Sequence, residues 1–358
     1  MLEGPRNDPD WLLLTFGAAL PEDQAVYVPP TGSLEIPFSW SAFAPGVSNA
    51  FPRSPLATSW TELVHSAVTV GKWHTDIGRH GRYSHFEAEM RAFLLYAYLQ
   101  APSGVPRWSP AFFALDPSEK SGVSYTVGMA CAKLFSRHLF GVEWLMHIDR
   151  YGRRFGLSLS GQKRPDLFGT DIVGGWIVVE AKGRSNGMEP GLAAALAGQK
   201  SSVSSIAGQA PTLRVGTVAH FYGNKLSVFL CDPPLARNGD EVPLDRSSFI
   251  ETYYEPIADL VEEQGYEEEV APGDRARLIR FESVDAEVGI EVDVLTTLRA
   301  EAAVNLGSRM TRREPRRAAT RDQRETYIGS DGVVVRLGPS WSPEEMRRGP
   351  EERRGSPL

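Results

Sequence analysis

Two carboxylates and a lysine fall close together between Lys163 and Gly187, in the stretch KRPDLFGTDIVGGWIVVEAKGRSNG. Asp166 follows Pro165, thirteen residues intervene, and Glu180-Ala181-Lys182 completes the set. Residues of these types can hold a divalent cation beside a phosphodiester and aim a water at it. Hard oxygen ligands suit Mg²⁺ or Mn²⁺, and Mg²⁺ commonly keeps several waters for nucleophile and substrate. A coordinated water has a lowered pKa. An adjacent ammonium orients the attacking water, or stabilises the charge that builds on the phosphate.

Two short strands must position these groups. Residues 176–181, WIVVEA, are apolar and rich in β-branched side chains, and they lie between Gly174-Gly175 and Gly183. That composition and punctuation predict a strand, with the glycine pair supplying a tight turn. Residues 167–173 form its partner, which leaves Asp166 at the open end of a hairpin, across from Glu180. Alternation places Val178, Glu180 and Lys182 on one face and the apolar Ile177, Val179 and Ala181 on the other. Charges on a buried strand are costly unless they are paired or bind an ion. The competing reading is a surface hairpin with Glu180 and Lys182 solvated; the WIVV run speaks for a central strand instead.

Asp166, Glu180 and Lys182 resemble the signature of the PD-(D/E)xK nuclease superfamily. The resemblance implies an α/β fold with a restriction-endonuclease-like core: a mixed central sheet flanked by helices, with N-terminal and C-terminal additions. It also implies hydrolysis of phosphodiester bonds of nucleic acid, with DNA ahead of RNA. Asp166, Glu180 and the backbone carbonyl of Ala181 would ligate Mg²⁺, with Mn²⁺ able to substitute, and Lys182 would position the water. The family core runs helix, three strands, helix, strand. The flanks follow that order: a helix is expected over 121–139, a strand over 142–150, a small-residue helix over 192–209, and strands over 212–220 and 225–231. Many members add an acid from the first helix. Glu119, just before it, is the candidate metal ligand, with Glu87 and Glu89 on an earlier helix as further options; an acid at a helix start also serves simply as a dipole partner. Many members place Gln or Lys on the helix after the motif, where Gln199 and Lys200 stand, on what reads equally as an exposed polar face.

The chain has 358 residues, 42% of them hydrophobic, and a net charge of −7. That is long for one domain and short for three. A protein coating nucleic acid non-specifically is usually basic. Local positive charge suffices to grip a short backbone segment, and Arg150, Arg153, Arg154, Lys163, Arg164 and Arg184 flank the motif, as nucleic-acid contacts or as an ordinary solvated loop. Cys131 and Cys231 are the two cysteines; they read as small buried hydrophobes of a reducing compartment. Ser124 in GVSYTVG departs from the G-x-S-x-G elbow, which gives a serine hydrolase little support. The apolar run 11–20 is too short to span a bilayer, and its leader carries more acid than base. A cytoplasmic protein without membrane attachment is the expectation.

Four segments follow from composition: a mixed α/β region at 1–105 for substrate or partner selection, the nuclease core at 106–235, an α/β extension at 236–306, and an arginine-rich, largely flexible tail at 307–358. In the first, helices are expected over 60–70 and 84–99, the latter with Phe86, Met90, Phe93, Leu94 and Ala97 as a core-facing stripe. His74, His80 and His85 match no standard zinc spacing. An amphipathic helix is expected over 245–264, strands over 277–282 and 287–295, and a hairpin over 327–337 around Ser330-Asp331-Gly332. The tail arginines read as nucleic-acid contacts or as a solubilising linker. No helicase P-loop, methylase motif or sequence-reading domain is evident. The chain thus fits the effector of a bacterial restriction or anti-phage system whose partner protein supplies targeting, or a homodimer. The alternative is a non-catalytic module that uses the same fold to bind nucleic acid or protein.

Overall fold

The computed structural model describes residues 33–70, 82–151, 155, 165–171, 173–189, 191–192, 196, 203–232, 240–300, 313–319 and 324–342. Six of its strands form one mixed sheet: β1 (Phe38–Ser41), β2 (Val142–His147), β3 (Leu167–Asp171), β4 (Trp176–Gly183), β5 (Leu213–Tyr222) and β6 (Lys225–Cys231), in the order β1-β6-β5-β4-β3-β2. β2, β3 and β4 form an antiparallel meander, β5 joins β4 in parallel, β6 returns antiparallel to β5, and β1 closes the edge parallel to β6. β4 is therefore central, and its first six residues are buried. The β3–β4 turn is drawn tight by Asp171, whose Oδ1 accepts from the N–H of Val173 (2.9 Å) and of Gly175 (2.7 Å). Gly174 sits there at φ +94°, a conformation that glycine adopts without steric cost.

The longer helices are α1 (Trp60–Thr69), α2 (Arg82–Tyr98), α3 (Pro117–Phe140), α4 (Arg246–Gln264) and α5 (Val292–Arg299). α3 opens on a capping box: Asp116 accepts from the N–H of Ser118 and Glu119, and Glu119 Oε2 accepts from the Asp116 N–H at 2.9 Å. It ends at Gly141 in the left-handed conformation. The second large sheet is antiparallel throughout. It comprises β7 (Tyr266–Ala271), β8 (Asp274–Phe281), β9 (Ala286–Glu291), β10 (Arg316–Ala319), β11 (Glu325–Ile328) and β12 (Val333–Leu337), in the order β7-β8-β9-β12-β11-β10.

α1 packs on α3 and on β11 and β12, while α4 reaches β2 on one side and β8 and β9 on the other. One apolar cluster accordingly runs from Leu34 to Trp341 and spans all four segments drawn from composition. A polar network crosses the same layer. Asp331, in the β11–β12 turn, receives Tyr253 OH from α4 (2.7 Å) and meets His65 Nε2 from α1 (3.0 Å). Its carbonyl accepts from Tyr254 OH (2.6 Å), which in turn accepts from Trp144 Nε1 in β2 (3.1 Å). Lys133 of α3 donates to Tyr253 OH (3.3 Å) and to the Glu143 carbonyl.

Several expectations are corrected. Phe86, Met90 and Phe93 are exposed, and α2 instead buries Ala88, Ala92, Leu95 and the following Leu99; with close packing against α1, small residues take the inner face. The helix expected to run through 209 does not, because Val203–Ile206 is a strand paired with Asp240–Val242, and Ala207 and Gly208 reverse the chain at positive φ. The strand expected over 287–295 ends at Glu291, where α5 starts and buries Val294 and Leu295; burial overrides the β-branched bias of Val292 and Val294. The strand expected over 142–150 turns helical at Ile148–Tyr151. The segment after 307 is no flexible arm over its described residues: it supplies three of the six strands in the second sheet. Its arginines are counter-ions. Arg317 pairs with Glu62, which also holds Arg137 of α3; Arg313 and Arg316 pair with Glu291, and Arg324 and Arg336 with the fully buried Glu287. Burial alone would raise the Glu62 carboxyl; His138, Arg137 and Arg317 outweigh it and hold the group well below the usual carboxylate range. Among the described residues no helix is long and apolar enough to cross a membrane.

Candidate active site

The hairpin register sets Leu167 opposite Val179, so Asp166 stands across from Glu180 just beyond the end of β3. Asp166 is held there twice by backbone: its Oδ2 accepts the N–H of Ala181 at 2.9 Å, and its carbonyl accepts the N–H of Ile148 at 2.9 Å. In an extended strand the N–H and C=O of one residue point to the same side, so the carbonyl of Ala181 is directed towards Asp166 as well. Glu180 is fully buried, and among the described residues the Lys182 ammonium is the donor that reaches its carboxylate. Its close ion partner is Lys182, two residues on and on the same face, with a side chain about one-third exposed. Burial, and then the nearby Asp166 carboxylate, push the Glu180 carboxyl up to about 7 against the pull of Lys182. Two acids and one ammonium thus converge at the open end of the β3–β4 hairpin, as their spacing in the sequence predicts.

α3 locks this end of the sheet from the opposite face. A Cβ added to Gly128 would lie 2.6 Å from the Gly183 nitrogen, and one added to Gly183 would overlap the carbonyl oxygen of Ser124. Helix and strand backbones meet directly beside Lys182. Gly183→Ala must push them apart, and a loss of about 1–3 kcal/mol is expected from such overpacking. A denaturant melt checks this; a Gly183→Ala protein as stable as wild type would contradict the close approach.

The remaining candidates lie elsewhere. The Glu119 carboxylate is engaged in the capping box at the start of α3. Glu87 pairs with Arg91, and Glu89 accepts from the backbone and hydroxyl of Ser283. Arg184 continues β4 by donating its N–H to the Ala219 carbonyl (2.8 Å), and its guanidinium stands 3.7 Å from Glu189. Arg153, Arg154, Lys163, Arg164, Gln199 and Lys200 lie outside the described residues, as do His74 and His80. His85 stands 3.8 Å from Glu89. Among the described residues no three or more His, Cys, Asp or Glu converge as a metal-binding group; the oxygen set here is two carboxylates and a carbonyl.

Two neighbours of the site escape a reading of the motif. Tyr125 of α3 is 43% exposed; burial and then Asp166 push its phenol up. His220 lies in β5 on the face that carries Lys182. The expected end of that strand at 220 hid its companion Tyr222; two more residues of alternation would have placed both. No protein-family model, no curated protein and no solved structure matches the chain.

Proposed function

We propose that this chain is a metal-dependent nuclease with a restriction-endonuclease-like core, cutting phosphodiester bonds of nucleic acid, DNA before RNA. The observation that carries the reading is Glu180. A fully buried carboxylate opposite a second carboxylate, with one partly exposed ammonium as its counter-ion, is costly to the fold. A cation between Asp166 and Glu180 would offset the charge that Lys182 alone leaves. The element order supports the same reading: α3, then β2–β3–β4, then Leu192 and Leu196 in helical conformation, then, after the short strand Val203–Ile206, β5.

The donor set fits a hard divalent cation. Asp166, Glu180 and the Ala181 carbonyl are oxygen ligands, few enough to leave room for water and a phosphate oxygen, as Mg²⁺ prefers. When bound, such a cation supplies Lewis acidity and lowers the pKa of a coordinated water. The chain's own residues do the rest. The Ala181 N–H fixes the Asp166 carboxylate in one orientation. Lys182, partly open to solvent, keeps an ammonium next to the acids, where it orients the attacking water and offsets negative charge on the phosphate. α3, seated against Gly183, keeps the strand end from yielding.

The test is cleavage of supercoiled plasmid, linear duplex, single-stranded DNA and RNA in Mg²⁺, Mn²⁺ and EDTA, comparing wild type with Lys182→Ala. Metal-dependent cutting is expected, reduced about 10²–10³-fold in the variant, the size of one lost electrostatic contact to the transition state. Equal rates for the two proteins would sink the assignment. Binding of nucleic acid with no cutting under any condition would favour the non-catalytic module.

A further inference from the structure

The face of β4 that bears Glu180 and Lys182 does not stop at Lys182. The parallel register puts Lys182 beside Val218 of β5, and the N–H of Arg184 donated to the Ala219 carbonyl extends that ladder by one step. Alternation then sets Arg184 beside His220, and Tyr222 one step further on, all on the Lys182 face. Phe221, between them, turns the other way and stacks on Trp108 at 3.8 Å. Three features distinguish this row. The Nε of Arg184 and the Nδ1 of His220 are buried and lack a hydrogen bond among the described residues. The Tyr222 ring is 80% exposed, although it sits at the end of a ten-residue strand of the central sheet. Gly187 faces the ring, and a Cβ added there would stand 3.7 Å from it, so the absence of a side chain at 187 leaves that approach open.

The Arg184 guanidinium, whose nearest carboxylate is the loosely held Glu189 at 3.7 Å, and a His220 ring that donates in its Nδ1–H tautomer form, beside the Lys182 ammonium, a place for an oxyanion. An exposed aromatic ring beyond them forms a place for a base. The four steps along β5 from Val218, the neighbour of Lys182, to Tyr222 span about 13 Å at the rise of a strand, room for a short run of nucleotides. Stacking on a side chain requires a base free of its duplex partner, at least locally.

We infer that Arg184, His220 and Tyr222 form a substrate track leading away from the catalytic carboxylates, with Arg184 and His220 binding a phosphate that flanks the scissile one and Tyr222 stacking an unpaired base. The substrate class is therefore nucleic acid with a single-stranded stretch next to the cut: a free strand, an overhang or a flap. This rests on the nuclease reading above for the position of the cut, but the track itself is a binding site.

The experiment keeps the two separable. Binding of a fluorescein-labelled single-stranded oligonucleotide and of its blunt duplex is followed by anisotropy in EDTA, where cutting by the proposed site is off. Wild type, Tyr222→Ala, Tyr222→Phe and Arg184→Ala are compared. Cleavage of the same two substrates in Mg²⁺ is measured separately. The expected result is about tenfold weaker single-strand binding by Tyr222→Ala, near wild-type binding by Tyr222→Phe, a shallower salt dependence for Arg184→Ala, and an unchanged duplex affinity for Tyr222→Ala. Unaltered single-strand binding by Tyr222→Ala, an equal loss on the blunt duplex, or no single-strand binding by wild type overturns the track. Wild type that binds single strands through Tyr222 but never cuts leaves the track standing and removes the nuclease reading.

Discussion

Asp331→Asn is expected to cost about 3–5 kcal/mol of stability at neutral pH. Breaking a buried charged network by removing one partner leaves the others uncompensated in a low dielectric. Asp331 is fully buried and meets His65, Tyr253 and the N–H of Val333 through its side chain. Lys133 lies behind Tyr253, itself fully buried; desolvation pushes its ammonium down to about 8, with Asp331 and Glu143 resisting. Asparagine keeps the shape and removes the charge that His65 and Lys133 face. The pH dependence follows from the native carboxyl. Burial raises it, but His65, Lys133 and Tyr253 outweigh burial and hold it well below its ordinary value of 3.8. A depressed acid contributes its full stability above its unfolded pKa and loses it as pH falls towards the folded pKa. The gap between wild type and Asp331→Asn should therefore be widest near pH 7 and narrow progressively below about pH 4. Urea melts across that range decide it; a gap that persists unchanged at pH 3 would mean that shape, and not charge, is what Asp331 contributes.

That network explains why part of this fold was legible in the sequence and part was not. The hairpin could be read because its information is local: a β-branched run, a glycine turn and period-two alternation fix which side chains share a face. α1, α3, α4 and the 327–337 hairpin were visible for the same reason, each with its own cap, period or turn. The role of the arginines was not. Arg317 has its partner, Glu62, 255 positions away, and Tyr253 meets Asp331 across 78. Nothing in RMTRREPRRAATRDQR marks Arg316–Ala319 as a strand, because a strand whose charges are satisfied across a fold carries no apolar alternation to detect. The exposed stripe on α2 misled for a related reason. Phe86, Met90 and Phe93 have the right period for a core face, but period tells only that residues share a side; the packing of Ala88 and Ala92 chose which side turned inward. At the site, the three motif residues were legible and the track beyond them was not, since it depends on how β5 lies beside β4.

Glu180→Gln should abolish cleavage and yet stabilise the protein above pH 7. The two effects together separate a site held for chemistry from one held for structure. The native carboxyl is raised from 4.5 to about 7, by burial first and Asp166 second. An acid whose folded pKa exceeds its unfolded one carries no penalty below about pH 4.5, where both states are protonated. The penalty grows as pH rises and is complete above about 7, where the native state must hold the charge. A shift of that size corresponds to on the order of 3 kcal/mol, at 1.36 kcal/mol per pH unit. Glutamine is never charged, so the variant should match wild type near pH 4.5 and melt several degrees higher at pH 8. Lys182 offsets this little, because its ammonium is partly exposed and can turn to water when its partner is neutral. Mn²⁺ provides the counterpart: it should raise the melting temperature of wild type at pH 8, by binding the native state alone, and leave Glu180→Gln unmoved. A variant that is less stable than wild type at pH 8 would identify Glu180 as a structural partner of Lys182 and remove the strongest support for the nuclease reading. A more stable, metal-blind and inactive variant would mean that the buried Glu180 carboxylate is kept against the interest of the fold, for a cation.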